Sequence, residues 1–308
     1  MCDKEQVITF RQPSTANLMI DSKDRRSSEN FGDFQITKFQ NLLTGFPKRI
    51  ATSEVVLEWF NPNISPSYNN TIFTISATHS STTTVCDVEI DPGFYTVQEM
   101  IDTIIDAFNS QYGTAGTSPV GFDISGDVFN GGYYGIEIFN PAPGDEILLA
   151  PPLTGLTKLM DPVENSNGSP NTGIAFIAPD LRPTRYIDFV SQQLTYCQNL
   201  KDSSTSEIIR DVLCRWYFAT TNGSGGSVLD AYGYPILQGY EPFVERRIFN
   251  PPKQIKWDNI QPIGNLSFQL YNDKQELITP VGAFKQAVGF TLEDDRSNWL
   301  MTLQVSED

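Results

Sequence analysis

Apolar and polar residues alternate along most of this chain. In "SEVVLEWF", Val55, Leu57 and Trp59 fall on one face and Glu54 and Glu58 on the other, the period of two expected of a half-buried strand. "VCDVEID" sets Cys86, Val88 and Ile90 against Asp87, Glu89 and Asp91. "FDISGDVFNGGYYGIEIF" reads as two strands around Asn130-Gly131, a pair that tight hairpin turns favour because both central positions take positive φ. Towards the C-terminus, "NLSFQLYN" alternates Leu266, Phe268 and Leu270, and "AVGFTLED" alternates Val288, Phe290 and Leu292. "NWLMTLQV" does the same with Trp299, Met301, Leu303 and Val305, so the last third predicts antiparallel β structure.

One segment breaks the period. In "DPGFYTVQEMIDTIIDAF", residues 91–108, Val97, Met100, Ile101, Ile104, Ile105 and Phe108 recur at three-and-four spacing and form one helical face. Thr96 and Glu99 supply the T-x-x-E of a capping box, and Tyr95 and Met100 a candidate hydrophobic staple. Residues 207–218 fit both periods; their β-branched and aromatic content and the Gly-rich loop that follows favour a strand.

Pro-rich breaks divide the chain. "NPNISPSYNN" closes the early strands and "IAPDLRPTR" lies at 177–185; between them stand two strand pairs, the helix and a short helical "LTGLTKLM". The expected organisation is an N-terminal arm at 1–29, a discontinuous body at 30–65 and 180–308, and an inserted smaller α+β domain at 66–179. With about eight strands in the body, the fold class is mainly β: a single jelly-roll β-sandwich carrying that insertion. The helix then covers one face of a small sheet, and its apolar residues form that domain's core.

Composition narrows the chemistry. The 308 residues are 39% hydrophobic, ample for large cores, and 21 basic against 37 acidic residues give a net charge of −16. Such a charge repels a phosphate backbone, so no direct nucleic-acid role is expected. No run approaches the ~18 apolar residues of a membrane span, and the N-terminus carries neither a signal pattern nor a myristoylation glycine. A soluble protein of cytoplasmic origin is expected. Cys2, Cys86, Cys197 and Cys214 form no C-x-x-C pair, and His79 is the lone histidine, so no metal or cofactor is expected. Cys86, Cys197 and Cys214 read as small buried hydrophobes and Cys2 as a mobile thiol. His79, in "SATHSSTTT", reads as a loop residue without a nucleophile elbow. "NGSGGS" at 222–227 lacks the Lys-Ser/Thr of a phosphate loop, and Asp87, Glu89 and Asp91 read as a solvated acidic face rather than a cation site. No catalytic residue is expected.

A resemblance adds what the residues leave open. "LMIDSKDRR" at 18–26, "FGDFQI", "RIATSEVVLEWFNPNI", "IDPGFYTVQEMIDTIIDAF" and "NPPKQIKWDNIQPIGNLSFQLYNDKQELI" at 250–278 follow one another as in the vertex, or penton-type minor capsid, proteins of virophages and polinton-like viruses. Each is a strand or turn pattern, and the likeness lies in their order over most of the chain. The resemblance implies a jelly roll with an inserted domain, five copies of which close each icosahedral vertex of the virion. Its implied partners are further copies of itself as a homopentamer, a double jelly-roll major capsid protein and other minor capsid proteins.

Candidate assembly residues follow. Val7, Ile8 and Phe10, set off by a Pro/Ser/Thr stretch, suit either an arm that orders on docking or a plain edge strand. Lys23, Arg25 and Arg26 suit either an acidic neighbour or DNA, or a solvated turn. The rival function is an exterior fibre, cement or receptor- or carbohydrate-binding β-sandwich, for which Tyr232, Tyr234 and Tyr240 are the aromatic candidates unless they anchor their own loop.

Overall fold

The structure is a computed structural model that describes residues 15–37, 48–129, 132–153, 155–164, 172–195, 212–218, 229–256, 264–280, 284–285, 291–292 and 297–306. Along the chain run β1 (Thr15–Asp21), β2 (Asp33–Thr37), β3 (Arg49–Trp59), β4 (Ile72–His79), β5 (Thr82–Glu89) and α1 (Val97–Gln111). There follow β6 (Ile124–Val128), β7 (Tyr134–Ile138), β8 (Glu146–Leu149), α2 (Gly155–Leu159), β9 (Pro162–Glu164) and β10 (Gly173–Phe176). The chain continues through β11 (Tyr186–Val190), α3 (Gln192–Thr195), β12 (Val212–Tyr217), β13 (Phe243–Ile248), β14 (Gln254–Lys256) and β15 (Asn265–Tyr271). It ends in the short pair β16 (Phe284–Lys285) and β17 (Thr291–Leu292), then β18 (Asn298–Ser306).

The pairing of these strands is that of a jelly roll. One sheet has the order β1-β18-β3-β13, with β14 also on β3, and the other β12-β11-β15-β2. Numbered within the body alone, the two orders are 1-8-3-6 and 5-4-7-2, the double Greek key of an eight-stranded roll. The alternation explains the layering: Val55, Leu57 and Trp59 of β3, Met301 and Leu303 of β18, and Leu266, Phe268 and Leu270 of β15 all point into one buried cluster. Trp299 is its centre, with ring centroids of Phe189, Phe34 and Phe268 at 5.2, 5.3 and 5.5 Å and its Nε1 donating to the Phe31 carbonyl at 2.9 Å. Residues 212–217 are a strand, with Cys214 and Trp216 buried.

The expected arm needs correction. Residues 15–21 pair along their whole length with β18, so they are the first strand of the roll, and Ser22 is fully buried with its Oγ accepting from the Trp299 N–H at 2.8 Å. The Pro13 break read as a linker, whereas Leu18 and Ile20 already carry the strand period. Val7, Ile8 and Phe10 lie outside the described residues.

Between β3 and β11, the third and fourth strands of the roll, stands a second core. Sheets β5-β4-β8 and β6-β7-β10-β9 sandwich a cluster that runs from Ile64 to Leu181. Helix α1 closes it: Val97, Met100, Ile101, Ile104 and Phe108 are buried and Ile105 is half-buried. The helix starts where its cap dictates, Thr96 Oγ1 accepting from the Glu99 N–H at 3.3 Å and Glu99 Oε2 from the Thr96 N–H at 2.8 Å. The end of the helix also finishes the sheet. Tyr112 and Gln111 exchange hydrogen bonds with the backbone of Asp87 and Glu89, as a neighbouring strand would on that edge of β5.

Sequence did not foresee a third contributor. Tyr234, Leu237 and Tyr240, from the stretch between β12 and β13, join this second core rather than that of the roll. Asp230 Oδ2 accepts from the Gln98 N–H at 3.2 Å and the Ala231 N–H donates to Gln98 Oε1 at 3.1 Å, so the turn at 229–234 caps the first turns of α1.

Candidate assembly surface

Among the described residues, the groups that might have carried chemistry are spent on structure. His79 ends β4 rather than lying in a loop, and its Nδ1 stands 2.7 Å from Oδ1 of the buried Asp145. Asp145 Oδ2 accepts from the Ala142 N–H at 2.9 Å, so the pair ties β4 to the turn before β8. Gly121, with φ of +109°, makes the close approach possible, since a Cβ there would sit 2.5 Å from the imidazole. Burial pushes the Cys86 thiol up to about 11 and raises that of Cys214 further, which keeps both protonated and inert. Asp87 Oδ1 accepts from Thr74 Oγ1 at 2.8 Å, and among the described residues no three His, Cys, Asp or Glu side chains come together to hold a metal. Cys2, Cys197 and residues 222–227 lie outside the described residues.

The tyrosines of the Gly-rich stretch are anchors. Tyr234 donates from its hydroxyl to the Phe176 carbonyl at 2.6 Å, and the Tyr240 hydroxyl accepts from the Leu181 N–H at 3.0 Å. Tyr232 stacks on Tyr134 with ring centroids 3.6 Å apart and donates to Asp102 Oδ1 at 2.8 Å. Burial raises the ionisation of all three phenols, so they serve as neutral donors or acceptors.

The basic trio lies at the turn after β1 and is also engaged. Lys23 Nζ pairs with Glu58 at 3.0 Å, Arg25 Nη1 donates to the Ser22 carbonyl and to Asn298 Oδ1 at 2.7 Å each, and Arg26 donates its backbone N–H to Glu29 Oε2 at 2.9 Å and its Nη2 to Thr37 Oγ1 at 3.5 Å. Lys23 lies against the outer face of the sheet β1-β18-β3-β13, where it meets Glu58 of β3.

The register lays this face out. Ile248 pairs with Glu54, which faces Thr302, which faces Met19; Arg246 pairs with Val56, which faces Leu300; Val244 pairs with Glu58. The strand parity that buries Leu57 and Met301 therefore turns Met19, Val56, Leu300, Val244 and Ile248 outward. Met19 is 65% exposed and Val244 and Ile248 62% each, while Val56 and Leu300 are half-buried. The charges among them neutralise one another. Arg246 Nε and Nη2 each donate to a Glu54 carboxylate oxygen at 2.7 Å, which holds the Glu54 carboxyl below its usual range, and Lys23 answers Glu58. A face of aliphatic side chains whose ionic groups are already paired loses less on desolvation than one of free charges, and so suits protein–protein contact. The alternation of Val244, Arg246 and Ile248 was legible in "FVERRI", but Phe243 in the other phase masks it.

No family model matches the chain, and no curated protein matches it. Among solved structures, the chain is similar to the penton protein of mavirus, at 12% identity over 96% of this chain and 99% of that one, with a TM-score of 0.48. It is likewise similar to a chain of the Sputnik virophage solved by cryo-EM, at 13% identity over 96% and 99%, with a TM-score of 0.49.

Proposed function

We propose that this chain is a structural protein of a viral capsid, a penton subunit that closes icosahedral five-fold vertices as a homopentamer and contacts a double jelly-roll major capsid protein. The observation that carries the proposal is the outer face of β1-β18-β3-β13: an exposed aliphatic field with paired charges on one side of a complete jelly roll. A rotation that closes lets one such face meet a different face of the next copy, and five copies then form a ring without leaving an open end. The order of sequence motifs shared with penton-type proteins supports the same role. Among the described residues, His79 and Asp87 are built into hydrogen-bonded structure, and the tyrosines that suited a glycan-binding reading are tied to the second core.

The location that follows is the capsid vertex, after synthesis in the host cell cytoplasm. The face is tested by Val244→Lys with Ile248→Lys. Each lysine would stand opposite Glu58 or Glu54, so the variant folds, but its ammonium groups cannot be desolvated against a neighbour. Co-expression with the major capsid protein should then yield particles that lack the variant and contain the natural chain. Equal incorporation of the two would remove this face from the assembly.

A further inference from the structure

Strand β1 is an open edge of the roll. It pairs along its whole length with β18 in one unbroken register, and among the described residues no strand pairs with its other side. Alternate residues of an antiparallel strand turn their N–H and C=O away from a single partner, so that side is a row of unpaired donors and acceptors. The other edges of the two sheets are guarded. β13 carries Glu245, Arg246 and Arg247 within six residues, and β2 is five residues long and opens with Asp33. β12 has two of its carbonyls taken, that of Val212 by Lys253 Nζ at 2.8 Å and that of Tyr217 by Arg247 Nη1 at 3.0 Å. β1 has no such protection: "TANLMI" holds neither charge nor proline from Thr15 to Ile20.

Packing at this edge is incomplete in the same place. Ile20 is buried, but Leu18 in the same inner phase is only half-buried and Ala16 is exposed, and Met19 in the outer phase is exposed as well. A strand added here would cover apolar side chains on both faces. The chain itself contains one of the right kind in "QVITF", residues 6–10, which is uncharged and made of strand formers, with Val7 and Thr9 in one phase and Ile8 and Phe10 in the other. Only residues 11–14 join it to Thr15. Pro13 fixes its own φ and restricts Gln12 to extended conformations, so this tether favours a straight run of about 13 Å over the reversal needed to reach an edge about 4.8 Å from its own β1.

We propose that residues 6–10 of one copy add as a strand to the open edge of β1 in a second copy of this chain. Main-chain hydrogen bonds supply the affinity, and the side chains beside Leu18 and Met19 fix the register. The exchange rests on the pentameric reading for its closure: a donation repeated head to tail around a ring pairs every β1 and places every donated strand.

Photo-crosslinking of the full chain tests this, with Phe10 replaced by benzoylphenylalanine and isotopically heavy and light chains mixed in equal amounts before assembly. After irradiation and tryptic digestion, the peptide of residues 5–11 should be joined to that of residues 12–23, and heavy–light pairs should appear among the products. Asn17→Lys, at an exposed position facing Gln304, should leave the melt of the isolated chain in place and lower the heavy–light yield about tenfold, because a charge on an edge strand opposes pairing. Same-label products alone, from a chain whose native mass is pentameric, would show the segment on its own β1; they would overturn the exchange and leave the pentamer standing. A chain that stays monomeric in every condition would overturn both. Joining of residue 10 to a different peptide, or a heavy–light yield that Asn17→Lys does not lower, would also overturn the exchange.

Discussion

Replacing Ile104 by aspartate separates an internal packing helix from a recognition helix. Ile104 is wholly buried on α1, in the cluster that also holds Phe108, Phe122 and Ile124. Removing its side chain from that environment forfeits roughly 1.5–3 kcal/mol of apolar burial. A carboxyl group left without partners adds a desolvation penalty of about 2 kcal/mol or more, which brings the total to the order of 4–5 kcal/mol. For a unit of about a hundred residues each kcal/mol is worth roughly 4 °C, so its transition should fall by on the order of 16–20 °C. The roll has its own buried cluster, and its transition should move much less. Calorimetry of the purified variant therefore predicts two separated transitions in place of closer ones. The defect should also depend on pH with a definite sign. Burial raises the folded-state pKa of the new carboxyl, so the penalty is least below the unfolded pKa of about 4 and grows as pH rises from there towards the folded value. An unchanged melt at neutral pH would refute the assignment of α1 to a core.

Three further outcomes follow from the same contacts. Val244→Lys with Ile248→Lys, at exposed positions opposite acids, should leave the melting temperature of the isolated chain within the equivalent of about 0.5 kcal/mol while weakening self-association, read by sedimentation velocity. For Asp180, burial works to raise the pKa, but the hydrogen bonds and charge of Arg182 outweigh it and hold the carboxyl below the usual range; the stability it contributes is therefore present above the unfolded pKa of about 4 and lost as pH falls below that. Denaturant titrations of Asp180→Asn should show a flatter loss of stability below pH 4 than the natural chain, and parallel curves would contradict this. Tyr234→Phe leaves the buried Phe176 carbonyl without the phenolic donor and should cost about 1–3 kcal/mol in urea unfolding, although Tyr234 lies far in sequence from the core it joins.

What the sequence disclosed follows a physical rule. Strands β3, β15 and β18 were legible because each has one face in a core and one towards solvent, which forces a period of two. Helix α1 was legible because its cap and its apolar stripe are both local. Strand β1 was not, because a proline and a run of short polar residues precede it and only Leu18 and Ile20 mark its inner face. The attachment of the turn at 229–240 to the second core was not legible for a different reason. Its partners Gln98, Asp102 and Tyr134 are 130 or so residues away or, for Tyr134, about 100, and no local pattern encodes a contact over that distance. His79 is similar: its histidine character was evident, but Asp145 stands 66 residues further on.

Native mass determination of the full chain under assembly conditions tests the central claim most directly. A capsid vertex subunit should give a species at five times the 34.4 kDa chain mass, either alone or on addition of the major capsid protein. A chain that stays strictly monomeric in both conditions and never enters particles would contradict it.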